Sequence, residues 1–413
     1  MRALILNQPF YPDVVATGQY AADLAVALAA ADHQVTVLCS ARGYDDPSCR
    51  FPAHEDWQGV KIVRVAGTAF GKSTRVRRAV DFATFILSCA LRLLRMGRFD
   101  VIVVLTTPPL ISALAAAWKS LRGGRLIYWT MDLNPDEAIA AGWLRADSLT
   151  TRALRAVQKF SLQRSDGILA LDVFMRDRLI AAGASSPSIA VIPPWVQDDC
   201  VRYDAAERVT FRKRHDLEGK FVVMYSGNHS PCHPLDTLLQ AAHLLKSSRQ
   251  IVFVFVGGGS EYRKIEAQIK DHPCDNIVCL PYQAREELAA SLSAADMHVV
   301  VMGDPFVGIV HPSKIYNILA IGTPVLYVGP ARSHVTDLFQ HLHPAPHLYS
   351  ARHGDAGAVV KHVIAAKSCA ADPVPCCDPA IAKPLLLARA MEIVLGECSS
   401  ETPGKVILGP NPK

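Results

Sequence analysis

Paired cysteines are what this sequence lacks first. Its eleven cysteines are scattered, and no two are spaced as Cys-x-x-Cys. An odd number, mostly in apolar segments, argues for buried reduced thiols in a cytoplasmic protein, against a disulfide framework or zinc site. Cys369, Cys376 and Cys377 lie in a Pro-rich stretch that reads as variable tail rather than a ligand set. Charge is sparse too: charged residues make up 20% and the formal net charge is +5. No long Lys/Arg run with interleaved aromatics occurs, so no nucleic-acid partner is expected. No stretch reaches about 18 uninterrupted apolar residues, so no spanning helix is expected. The apolar opening, Met1-Arg2-Ala3-Leu4-Ile5-Leu6-Asn7, is too short for a signal peptide and reads as a buried strand.

What is present is core-forming material. Half of the 413 residues are hydrophobic, and the length suits two domains. β-branched runs alternate with helical patterns, the signature of doubly wound α/β folds with covered parallel sheets. Arg2–Leu6, Gln34–Cys39, Lys61–Val65, Val101–Leu105, Arg125–Thr130 and Gly167–Leu171 read as strands of one sheet. Phe221–Ser226, Ile251–Val256, Asn276–Leu280, Met297–Val301 and Thr323–Val328 read as a second. The turn Pro193-Pro194-Trp195-Val196-Gln197-Asp198-Asp199 is the expected linker. The reading is an α/β chain with two Rossmann-like domains, 1–195 and 196–375, whose parallel sheets face a common cleft. A C-terminal helix within 376–398 is expected to pack back on the first domain, with a tail at 399–413.

Two segments suit an anion. Val222-Val223-Met224-Tyr225-Ser226-Gly227-Asn228 reads as a buried strand entering a Gly turn, with a helix from about Leu235. Amides at a helix start, with about half a positive charge, hold phosphate. Such junctions occur throughout α/β proteins, so this one is weak alone. Gly308-Ile309-Val310-His311-Pro312-Ser313-Lys314 precedes a helix over Ile315–Ala320. Pro312 suits a helix start, Ser313 and the first amides can donate, and Lys314 adds a full charge. A snorkelling surface lysine is the competing reading of Lys314. Val256-Gly257-Gly258-Gly259 demands close backbone approach. In the first domain, Thr17-Gly18 follows strand one, and Asp132 leaves the end of a strand as an acidic group or a helix cap.

Together these residues resemble family 4 of the retaining glycosyltransferases, with the two-Rossmann GT-B architecture, in a branch of bacterial cell-surface polysaccharide assembly. The resemblance rests on Phe10-Tyr11-Pro12-Asp13 with Thr17-Gly18, on His33-Gln34-Val35-Thr36-Val37-Leu38, on Tyr225-Ser226-Gly227-Asn228 and on Ala320-Ile321-Gly322-Thr323-Pro324-Val325. It implies a UDP-sugar donor, no metal (no Asp-x-Asp pair is present) and a glycan or polyprenyl-diphosphate-linked acceptor. It also implies that the leaving diphosphate takes the acceptor's proton. Carried onto this chain, the catalytic set is Asp132, Lys314 and His311. The donor set is Gly18, Gly227, Asn228, His233, Tyr282, Gln283, Ser313, Lys314 and Asn317. Where the family has two glutamates eight apart, this chain carries Ile309 and Asn317. Asn228 and His233 stand near the family's loop Arg and Lys. A nucleotide-sugar epimerase or hydrolase, and a non-catalytic nucleotide-sugar-binding subunit, are the competing readings.

Lys72, Arg75, Arg77 and Arg78 precede the apolar Phe82–Leu94, which carries Arg92. The segment 72–95 reads as a basic amphipathic hairpin suited to peripheral membrane contact, or as an ordinary core helix with a solvated basic loop.

Overall fold

The computed structural model describes residues 1–397 except 14, 72–73, 197–200, 343–345, 370–371, 377 and 379–380, and does not describe the Arg75 side chain. The expected linker residues Gln197, Asp198 and Asp199, together with Lys72, Cys377 and the tail 399–413, lie outside the described residues.

The chain divides into two units. The first comprises Met1–Gln197, Gly308–His311 and the described residues from Lys383 onward; the second comprises Asp198–Val307 and Pro312–Ala382. The first unit holds strands β1 (Arg2–Leu6), β2 (Gln34–Ser40), β3 (His54–Trp57), β4 (Val60–Val65), β5 (Val101–Val104), β6 (Arg125–Trp129), β7 (Gly167–Ala170) and β8 (Ile189–Val191). They form one sheet in the order β3-β4-β2-β1-β5-β6-β7-β8. All pairs are parallel except β3 with β4. β3 escaped the sequence reading because His54-Glu55-Asp56-Trp57 has no β-branched residue and is one polar edge of a hairpin.

The second unit holds β9 (Phe221–Asn228), β10 (Ile251–Gly258), β11 (Ile277–Leu280), β12 (Met297–Val301), β13 (Val325–Val328) and β14 (Leu348–Ala351). All are parallel, in the order β11-β10-β9-β12-β13-β14. Val223, Tyr225, Phe253, Phe255, Val299 and Val301 fill the core on one face, and Val222, Met224, Val252 and Val254 that on the other. Period-2 alternation of equally apolar residues marks a sheet covered on both sides.

Helix α1 (Ala16–Ala30) buries Tyr20, Ala21, Leu24, Ala25 and Leu28 on one stripe. The helix Lys383–Leu395 packs against it within the first unit. Lys383 Nζ reaches Asp23 at 3.0 Å. Arg125 donates from its two terminal nitrogens to the carbonyls of Val394 and Ile393 (3.1 and 3.2 Å), satisfying orphan acceptors at the helix end.

The segment expected as a basic hairpin is instead a single helix, α2 (Arg75–Leu94). Thr74 caps it by accepting from Arg77 N at 3.3 Å, so Arg75, Arg77 and Arg78 lie in its first turn rather than in a preceding loop. No helix among the described residues is long and apolar enough to cross a membrane.

Candidate functional site

In the second sheet the chain winds from β9 outward through β10 and β11, then through β12, β13 and β14 on the other side. Such a reversal opens a ligand crevice at the carboxyl ends of the two strands flanking it. Tyr225, Gly227 and Asn228 arrive there on β9, and Val301 ends β12. The strand runs on through Gly227 to Asn228, paired with Gly257 and Gly258, rather than turning at Gly227.

Lys314, first residue of the helix Lys314–Ile321, reaches this end of β9. Its Nζ lies 3.4 Å from the Tyr225 ring centroid and 3.4 Å from where a Cβ on Gly227 would stand. The Nζ is buried, and no hydrogen-bond partner for it stands among the described residues. Burial holds the ammonium well below the usual lysine range. Tyr225 is steadied by its hydroxyl, which donates to Asn228 O at 3.0 Å. A desolvated cation–π contact contributes about 2 kcal/mol. An uncompensated buried ion costs several kcal/mol. The cost exceeds the gain, so an anion beside the Nζ would offset a penalty that the described residues leave standing.

Two histidines wall this cation. His229 Nδ1 pairs with Gly227 O at 2.8 Å and His233 Nδ1 with Val301 O at 2.7 Å. Burial first, and the Lys314 charge second, push both pKa values down to about 3. Both rings are therefore neutral near pH 7, with Nδ1–H donating and Nε2 left as an acceptor. His233, expected to donate to a phosphate, is held in the tautomer that cannot do so through its free nitrogen. His229 was not singled out from sequence. Its Nε2 is buried with no partner among the described residues, and its only sequence signal is its place directly after Asn228.

The helix start behaves differently from expectation. The amides of Ile315 and Tyr316 point to the carbonyls of Pro312 (3.3 Å) and Ser313 (3.1 Å). Ser313 makes no side-chain cap. Positive charge at this site therefore comes from the Lys314 side chain rather than from those open amides. Asn317 lies one turn on, half-buried. Tyr282 is exposed at the end of β11, its ring beside Gly258 and its hydroxyl 3.4 Å from Gly258 O; Gln283 donates to Pro281 O at 2.8 Å. The triple glycine serves packing. A Cβ on Gly257 (φ +134°) would stand 2.1 Å from Gly227 O, and one on Gly259 2.4 Å from His229 O.

The first sheet reverses between β1 and β5. Gln8 N donates to Thr107 O at 2.7 Å across that point. Here Asn7 Oδ1, Gln8 Oε1, Thr17 Oγ1 and Thr106 Oγ1 are buried oxygens with no partner among the described residues. Gly18 lies beside them on α1, with room for a Cβ only at 3.2 Å from the Pro9 carbonyl carbon.

Asp132 leaves β6 in a bend, with Glu137 one helical turn away in the helix Asp136–Ala140. Burial, then the facing carboxylate of Glu137, raises the Asp132 pKa well above the carboxylate range. Burial raises that of Glu137 also, against hydrogen bonding from Asn134 and the charge of Arg78. The pair therefore retains a proton at pH values where free carboxylates have lost theirs. A raised folded pKa stabilises below the unfolded value near 4 and is lost as pH rises through the folded one. We expect Asp132→Asn to raise the first unit's stability near pH 7 by about 1 kcal/mol or more, with the gain vanishing by pH 4. Chemical denaturation at the two pH values checks this.

His311 belongs to the first unit, whereas Lys314, three residues further along the chain, belongs to the second. Its Nδ1 pairs with Asp172 Oδ2 at 2.7 Å, while Asp172 Oδ1 accepts from Met175 N at 2.8 Å and caps the helix Val173–Ala181. Ile309 O accepts from Leu133 N at 2.9 Å, next to Asp132. Thus the strap Gly308–His311 ties the exits of β6 and β7 together. Gly308 (φ +70°) permits it, because a Cβ there would stand 2.6 Å from the Phe174 carbonyl.

Comparison with known proteins agrees with this architecture. Residues 16–195 match the model of a glycosyl transferase 4-like domain, and residues 207–343 that of glycosyl transferases group 1. The chain is 22% identical over 357 residues to the putative colanic acid biosynthesis glycosyl transferase WcaI of Escherichia coli K12, covering 82% of this chain and 86% of that one. Among solved structures, sucrose-phosphate synthase from Thermosynechococcus elongatus aligns at TM-score 0.68 and 17% identity over 96% of this chain and 94% of that one. HepE of Anabaena, in complex with UDP and glucose, aligns at TM-score 0.68 and 14% identity over 96% of this chain and all of that one. These structural likenesses show the fold.

Proposed function

Since the chain belongs to the GT-B glycosyltransferases, with a transferase 4-like amino-terminal domain and a group 1 carboxyl-terminal domain, we propose that it moves a sugar from a UDP-type donor with retention of anomeric configuration. The observation that carries this reading is the buried Lys314 ammonium at the β9/β12 crevice, with no hydrogen-bond partner among the described residues. A diphosphate supplies its counter-charge. A neighbouring sugar hydroxyl supplies a donor to His229 Nε2, so one ligand satisfies both orphans.

In the proposed step the bond from the anomeric carbon to the diphosphate oxygen breaks. The acceptor oxygen bonds to the same face of that carbon, and its proton passes to the leaving diphosphate. Lys314 stabilises the charge that gathers on that diphosphate in a water-poor site, without a metal. Gly227 admits the phosphate to the backbone, while Asn228, Ser313 and Asn317 offer neutral hydrogen bonds and Tyr282 with Gln283 forms the base side. On the acceptor side, the neutral oxygens of Asn7, Gln8, Thr17 and Thr106 suit hydroxyls, beside Gly18. Asp132 and His311 are the groups able to hold an attacking hydroxyl. A glycan or lipid-linked glycan of the cell surface is the proposed acceptor class, in line with the name borne by WcaI.

Calorimetry with UDP, then a donor-by-acceptor screen with the product's anomeric coupling read by NMR, tests this. Absence of UDP binding would sink it. Binding without turnover on any pair favours a non-catalytic subunit, and UDP release without an acceptor favours a hydrolase or epimerase.

A pH signature follows. Anion binding favours charged Lys314, whose pKa in the free protein is low. UDP is fully ionised above about pH 7. Affinity should therefore fall from pH 7 to 9, with proton uptake visible as a buffer-dependent binding enthalpy.

A further inference from the structure

Helix α2 buries Phe85, Cys89 and Leu93 against the first unit and leaves another face bare. On that face Val76 (74% exposed), Val80, Leu87 (59%), Leu91 and Leu94 (59%) stand in solvent, with the exposed Ala83 between them. Their spacings of four, three, four, four and three keep one straight stripe along the helix. At 1.5 Å per residue the stripe is roughly 27 Å long. Phe70, 57% exposed, adds an aromatic just before the helix.

The charges are arranged to match. Arg77 and Arg95 fall on one flank of the stripe, about 100° around the helix from its centre, and both are exposed. Arg98 follows, also exposed. The single acidic residue of α2, Asp81, is turned away: its oxygens accept from Thr68 Oγ1 (2.7 Å), Phe70 N (3.0 Å) and Gly71 N (3.0 Å). Arg78 is not part of this face. Its guanidinium lies over Phe82 and 3.4 Å from the Tyr44 hydroxyl. The inward side is thus occupied by packing and hydrogen bonds, and among the described residues the outward stripe is apolar and its exposed charges are cationic.

We propose that α2 is an in-plane membrane anchor that lays its Val76–Leu94 stripe into the surface of an anionic bilayer, with Arg77, Arg95 and Arg98 on lipid phosphates. An apolar stripe with cationic flanks and no free acid fits this occupant: hydrocarbon takes the stripe and anionic headgroups take the arginines. A second copy of this chain would set these arginines against one another, so a homodimer through this face lacks charge complementarity. The proposal is independent of the Lys314 site.

The test is co-sedimentation of the full chain with vesicles of phosphatidylcholine alone or with 30% phosphatidylglycerol. The protein should pellet with the anionic vesicles at 50 mM salt, at least tenfold less with the neutral ones, and less at 500 mM. Leu87→Gln/Leu91→Gln should lower the partition at least tenfold at either salt. Arg77→Gln/Arg95→Gln should abolish the preference for anionic lipid. Both variants should keep the wild-type circular dichroism and wild-type UDP affinity, which separates this face from the donor site. Equal pelleting of wild type and both variants overturns the proposal. So does a wild-type dimer in sedimentation velocity that Leu87→Gln/Leu91→Gln converts to monomer without changing vesicle binding.

Discussion

Lys314→Met should do two opposite things: weaken UDP binding about ten- to a hundredfold and stabilise the ligand-free second unit. The first follows from losing a charged hydrogen bond to phosphate, worth about 1.5–3 kcal/mol. The second follows from removing an ammonium that is buried with no acceptor among the described residues (Nζ shielded beside Tyr225 and Gly227) while keeping its volume. The sign with pH is fixed. A lysine whose folded pKa is depressed penalises the fold while it is charged or must be discharged, and the penalty fades as pH rises toward the unfolded value near 10.4. The stabilisation should be about 2 kcal/mol near pH 7 and should shrink toward pH 10. Thermal melts with and without UDP read both effects. The variant should melt higher alone, gain less from UDP and lose the fall in affinity between pH 7 and 9. A lower melting point for the free variant, with wild-type UDP affinity, would show Lys314 to be an ordinary packing residue.

Gly257→Ala should be the most damaging single methyl in the second unit. Its φ of +134° is closed to side chains, and the added carbon would stand 2.1 Å from the Gly227 carbonyl oxygen, which is backbone and cannot swing aside. β9 and β10 are paired there, so relief requires their ends to part. We expect about 3 kcal/mol or more of destabilisation, the size associated with forced backbone strain and steric overlap. UDP affinity should fall as well, because Gly227 is the neighbour of Lys314. Gly354→Ala is the control: also at positive φ (+85°), but with nothing within 4 Å. Its cost should stay near 1–2 kcal/mol with UDP affinity unchanged.

The strands were readable because each is a buried parallel run whose β-branched residues have no other use. Met297–Val301 and Arg2–Leu6 match the sequence reading at both ends. The candidate crevice was half readable. Gly227 and Lys314 announced themselves as a glycine at a strand end and a lysine at a helix start. The Tyr225 ring beneath the ammonium did not, since a tyrosine in an apolar strand looks like core, and here it is both. His311 shows the limit of proximity along the chain. Three residues from Lys314, it pairs instead with Asp172, which lies 139 positions away. Nothing in a local motif encodes that partner. For 72–95, composition correctly suggested amphipathicity. The hairpin reading failed because Arg and Lys are good helix formers, and Arg75, Arg77 and Arg78 here make the first turn of a helix capped by Thr74.

The return of the last helix to α1 also sets an order of events during synthesis. Residues Leu386, Ala390 and Val394 complete the first unit's packing, yet they leave the ribosome after the whole second unit. At roughly 5–20 residues per second, α1 and the amino-terminal sheet wait about 10–40 s for their final layer. During that interval the stripe of α1 that the last helix covers is open to other chains. The second unit suffers no comparable wait, apart from the strap Gly308–His311 that it gives up to its neighbour. A nascent chain stalled before Lys383 is therefore expected to be the aggregation-prone form of this enzyme.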